Sequence, residues 1–242
     1  MTTPTPTPDN RYMSRSQAHA ADIDVGLRSY MLQVYNYMAS GVALTGIVAY
    51  VTAATPALFN AIFGTPLMWV LMLAPIGFAL FFGMRIQHIK ASTAQALFWV
   101  FAALMGLSLA TVFAIYTGES IARVFFITAA TFGAMSLYGY TTKRDLSGMG
   151  SFLMMGLIGV MIASVVNIFI GSTALQFAVS VIGVLVFVGL TAYDTQQIKE
   201  MYAEGDDGEI YKKKAIMGAL RLYLDFINLF MLLMQLFGQR RE

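Results

Sequence analysis

A chain of 242 residues with 58% hydrophobic and only 12% charged side chains, at a mean hydropathy of +0.68, carries far less charge than a soluble domain, where about a quarter of residues are charged. That composition marks an integral membrane protein. With no cysteine, a disulfide framework, a thiolate metal site and a cysteine nucleophile are excluded, and a formal net charge of +2 offers nucleic acid no basic surface.

The N-terminus reads TPTPTPDN and stays polar to about Ser29. Alternating Pro and Thr cannot build a helix or a core, so residues 1–28 are expected as a disordered or interfacial tail. They do not form a signal peptide, because the first apolar run begins only after residue 30 and is long enough to span. A membrane helix needs ~20 mostly apolar residues. Seven such runs follow, at about 31–54, 66–87, 93–116, 121–141, 149–170, 174–198 and 214–237. Thr55-Pro56 and Gly64-Thr65-Pro66 separate the first two, Thr117-Gly118 the third and fourth, and Gly171-Ser172-Thr173 permits only a tight turn between the fifth and sixth. The expected organisation is a tail over 1–28, a seven-helix membrane domain over 29–238 and a short polar tail over 239–242. The class is all-α and polytopic.

Lysine and arginine placement sets orientation. With the N-terminus inside, twelve of the fifteen basic residues fall on the cytoplasmic side, and only Arg123, Arg240 and Arg241 fall outside. This favours a cytoplasmic N-terminus and an outer C-terminus. The basic tail Gln239-Arg240-Arg241 leaves open an alternative in which the last segment is re-entrant and the chain ends inside. Glycines and methionines within the runs read as close-packing and gap-filling residues.

Two carboxylates interrupt the last two runs: Asp194 in LTAYDTQQIK and Asp225 in RLYLDFINLF. A charge at membrane depth costs roughly 2.5–3.5 kcal/mol on insertion scales, so each is a candidate functional group. Arg221, Asp225, Asn228 and Gln235 share one helical stripe by their spacings. Measured from Lys199, Asp194 lies ~7.5 Å inside the interface, and from Lys214 Asp225 lies ~16 Å inside. Those depths differ. If Arg221 marks the interface, Asp225 is only ~6 Å deep and the two can meet, provided the helix extends through residues 212–220. A meeting pair would share a proton or recruit an oxygen-seeking cation such as Ca²⁺. Plainer readings stand beside this one. Asp194 can be an interfacial partner of Lys199 or Arg85, Asp225 a local partner of Arg221, and Arg85 a positive-inside anchor. The loop EGDDGE holds Glu204, Asp206, Asp207 and Glu209, but its spacing does not match a calcium-binding EF-hand and reads as a solvated loop. No hydrolase, metalloprotease or nucleotide-binding motif is present, so no enzyme is expected.

The run FFITAATFGAMSLYGYTTKRDLSGMGSFLMMGLIGVMIASVVNIF, followed by AYDTQQIK and LYLDFINLF, resembles the Bax inhibitor (TMBIM, YccA-like) family over about residues 25–238. The resemblance implies seven helices with the last one central and wrapped by the other six, and a bacterial inner-membrane protein. It further implies a pH-sensitive leak for cations, mainly Ca²⁺, with no tightly bound cofactor. By position, Asp194 and Asp225 match the family's paired aspartates, and Arg85 matches an arginine that latches the aspartate of the sixth helix. Two departures exist: the second run has Ala74 and Pro75 where some relatives carry a glutamate, and the stretch between the aspartates is longer than in compact bacterial relatives. A different class of function also fits, namely a regulatory protein without transport that interacts with a membrane-bound AAA protease through its N-terminal tail. A proton-coupled carrier is a third option that no repeat or broken helix pair supports.

Overall fold

A computed structural model describes residues 15–241 of the chain. Eight α-helices run in chain order: α1 Arg15–Ala54, α2 Pro56–Phe63, α3 Leu67–Arg85, α4 Ala91–Ile115, α5 Gly118–Thr141, α6 Ser147–Ile170, α7 Thr173–Glu200 and α8 Gly208–Phe237. All but α2 are long and apolar enough to cross a membrane, which gives the seven spans the composition called for. Residues 15–28 of the expected tail are helical and continue into the first span, with Tyr30 packed 5.7 Å, ring to ring, from Tyr202. The rest of that tail lies outside the described residues.

α2 fills the stretch expected as a break. Thr55 stands at its N-cap and Pro56 at its first position, where a missing N–H costs nothing. Pro75 lies inside α3 and cannot bond to the carbonyl of Leu71 one turn back. The Ser108 hydroxyl of α4 donates to that carbonyl at 2.5 Å, which is how a broken helix ladder is tolerated in lipid. The turn between α6 and α7 uses Gly171 in the left-handed region (φ 66°), and Ser172 then caps α7 by accepting from the Leu175 N–H.

α8 is the most enclosed span, with 67% of its apolar window buried, whereas α6 has 6%. α8 packs directly on α1, α4, α5 and α7, while α3 makes its main span contact with α4, and α6 with α7. The enclosure of the last helix is therefore built by four direct neighbours. Tyr223 of α8 meets Phe98 and Phe101 of α4 edge-to-face at 6.0 and 5.7 Å, and its hydroxyl bonds Thr45 of α1 at 2.6 Å. α5 and α7 touch at backbone distance, because a Cβ on Gly139 would fall 2.2 Å from the Ala192 carbonyl oxygen.

Candidate functional site

α8 begins at Gly208, six residues before the third lysine of the triplet. Asp207 caps it by accepting from the N–H groups of Glu209 and Ile210 at 3.0 and 2.7 Å. Lys212, Lys213 and Lys214 therefore ride on the helix, which is the condition under which Asp194 and Asp225 can reach equal depth.

They do meet. The carboxyl groups of Asp194 on α7 and Asp225 on α8 lie side by side, close enough to act on one another. Asp225 is 5% exposed and Asp194 half-buried. Asp225 Oδ2 finds no donor among the described residues. A carboxylate only accepts, so a hydrogen bond between two carboxyls requires that one of them carry the proton.

Of the cations expected near the pair, Arg221 is the one whose charge acts on both carboxyls, although it makes no ion-pair contact with either among the described residues. Lys199 is engaged elsewhere, donating to the Tyr140 carbonyl at 2.9 Å with its ammonium over the Tyr140 ring. Arg85 is exposed at the end of α3 and has no ion-pair partner among the described residues. Asn228 donates to the Leu224 carbonyl of its own helix, and Gln235 accepts from the Ser180 hydroxyl of α7. Of the expected polar stripe, only Asp225 is buried.

Several polar groups that hold this region were not singled out in the sequence. The Tyr35 hydroxyl of α1 bonds Ser136 of α5 at 2.6 Å, Ser136 bonds Thr195 of α7 at 3.0 Å, and Thr195 donates to Thr191. This chain fixes the turn of α7 that carries Asp194. Gln196 accepts from the Leu146 N–H and donates to the Arg144 carbonyl, both at 2.8 Å, tying α7 to the α5–α6 loop. The acidic loop also has structural partners: Asp206 pairs with Lys214 at 2.6 Å, and Glu209 accepts from the Ala91 N–H at the start of α4 at 2.6 Å. Only the Asp207 cap carried a local signal, an Asp immediately before a helix.

No group of three or more acidic or histidine side chains is placed to hold a metal ion among the described residues. The two aspartates supply at most four oxygens, whereas a resident Ca²⁺ takes six to eight. Two aspartates by themselves do not complete such a shell.

The family model described as inhibitor of apoptosis-promoting Bax1 matches residues 27–242. An uncharacterized protein of Rickettsia prowazekii is 53% identical over 219 residues, covering 90% of this chain and 93% of its own. An uncharacterized protein of Caulobacter vibrioides is 48% identical over 246 residues, covering 96% and 98%. The inner membrane protein YbhL of Escherichia coli is 48% identical over 219 residues, covering 89% and 94%.

Proposed function

The chain belongs to the Bax inhibitor family of membrane proteins, and from that premise we propose that it is a pH-sensitive leak for Ca²⁺ and other cations across the inner membrane, gated by Asp194 and Asp225. The observation that carries the proposal is the side-by-side placement of the two carboxyl groups across α7 and α8. With a shared proton, the pair ties the two helices together and keeps the path shut. Raising the pH removes that proton, and two carboxylates in contact repel. α7 and α8 then separate at the end that carries their connecting loop, and the freed oxygens offer a transient stop for a cation in transit. Arg221 moderates the repulsion from its place near both groups. Arg85, exposed and unpaired among the described residues, is the free cation that captures Asp194 once the pair opens. The N-terminus lies in the cytoplasm in this arrangement, as the basic residues favour.

The test is Ca²⁺ flux into liposomes that contain the full chain, followed against pH. Flux rises with pH in the wild type, and Asp194→Asn and Asp225→Asn, which cannot gain the second negative charge, flatten that rise. Variants that remain folded with an unchanged flux and pH response sink the proposal.

A further inference from the structure

A cavity of about 670 Å³ is walled by α1, α4 and α5 and floored by Phe226, Ile227 and Phe230 of α8. Its volume is in the range of ligand pockets. It faces the surface where Ile47 and Phe126 are 62% and 69% exposed, so it opens sideways toward lipid. The wall is apolar except for Thr45, whose hydroxyl is already bonded to the Ala102 carbonyl and to Tyr223, the hydroxyl of Tyr50, and Arg241 at the rim.

Arg241 is held in place. The Thr117 N–H donates to the Gln239 carbonyl at 2.9 Å, the Arg241 N–H donates to the Ile115 carbonyl at 2.8 Å, and Arg241 Nε donates to the Tyr116 carbonyl at 3.1 Å. The Gln239 N–H donates to Ser120 Oγ at 2.8 Å. This short antiparallel clamp sits where α4 ends and α5 begins, at the shared end of two apolar spans. One guanidinium N–H of five is used, and neither Arg240 nor Arg241 has an ion-pair partner among the described residues. Two further spaces flank Arg241: one of about 470 Å³ that includes Asn60, and one of about 680 Å³ shared with Arg240, Thr117 and Gln239.

An apolar slot open to lipid, with two cations at headgroup level and room around them, is complementary to an amphiphile with a bulky anionic head. We infer that this cavity takes one acyl chain of an anionic phospholipid, with its phosphate on the guanidinium of Arg241 and Arg240 beside it. An arginine fork matches phosphate geometry and is weakly hydrated, which suits this level of the membrane. The open surface around Arg241 leaves room for a phospholipid headgroup, and oleate in the test below separates that occupant from a free fatty acid.

Binding of phosphatidylglycerol, phosphatidylcholine and oleate to the purified full chain, measured separately by native mass spectrometry, tests this. The wild type retains phosphatidylglycerol roughly tenfold better than phosphatidylcholine, about one strong charged contact. Arg240→Gln with Arg241→Gln erases that preference. Gly46→Leu lowers phosphatidylglycerol retention, because a Cβ there meets nothing within 4 Å and the longer side chain fills the slot without a clash. Ala122→Leu, on the opposite wall, does the same and replaces it if Gly46→Leu does not fold. Equal retention of the two phospholipids, retention unaffected by a filled slot, or oleate bound as well as phosphatidylglycerol overturns the assignment.

Discussion

α6 and α8 are both long enough to span a bilayer, yet they have different solvents. α6 places Phe152, Ile168 and Phe169 at 69%, 78% and 85% exposure, while α8 is enclosed by four other spans. Their polar content follows from that. The polar side chains of α6 are Ser and Asn, and its Ser151 and Ser164 bond carbonyls of their own helix. α8 carries Asp225 at a buried position, beside Asp194 of α7. A span surrounded by protein can hold chemistry that a span surrounded by lipid cannot, since each buried polar group needs a partner that lipid does not supply.

The largest expected effect separates packed from lipid-facing glycines. Gly139→Leu must push α5 off the α7 backbone and is expected to cost 3 kcal/mol or more, in the manner of severe overpacking (~1–3 kcal/mol, occasionally more). Gly159→Leu on α6, where a Cβ meets nothing within 4 Å, stays within about 0.5 kcal/mol. Unfolding midpoints in detergent measure both, and equal losses would mean that α6 is packed after all. A smaller contrast concerns hydroxyls. Thr45→Val leaves the buried Tyr223 hydroxyl without its partner and should cost about 1–2 kcal/mol, whereas Ser164→Ala on α6 should be close to neutral. Similar values for the two would remove the distinction between the regions.

The smallest effect lies at the start of α6. Asp145 is fully exposed, and the Ser147 hydroxyl and backbone N–H hold its carboxyl below the ordinary value. A carboxyl lowered in the folded state stabilises above its ordinary value, and that contribution fades as pH falls through the lowered one. The protection factors of the amides in the first turn of α6, taken relative to the intrinsic exchange rate at each pH, should therefore fall on acidification. Asp145→Asn should remove the pH dependence, and an unchanged profile would show that the turn is held by other contacts.

The spans were legible because hydropathy is a local property: each of the seven helices falls within a few residues of its apolar run, except that α1 starts earlier, at Arg15, and α8 earlier, at Gly208. α2 was missed although Thr55-Pro56 is a helix start signal, because eight residues between two turns read more simply as a break. Asp194 and Asp225 were legible as candidates from their cost in lipid. Gln196, Ser136 and Tyr35 were not, because nothing local says which polar side chain will reach a partner 50 to 101 residues away.

By itself the sequence determined that the chain is an all-α membrane protein with seven spans, and that two carboxylates lie within the last two. Only the tertiary structure decided that those carboxyls lie side by side, that Lys199 is engaged by the Tyr140 carbonyl, and that the basic tail is clamped beside an apolar cavity. Hydrophobic cost is counted residue by residue along the chain, whereas contact between groups 31 or more residues apart depends on which helix faces pack together. That is fixed only by close approaches such as Gly139 on Ala192 and by hydrogen bonds that cross between helices.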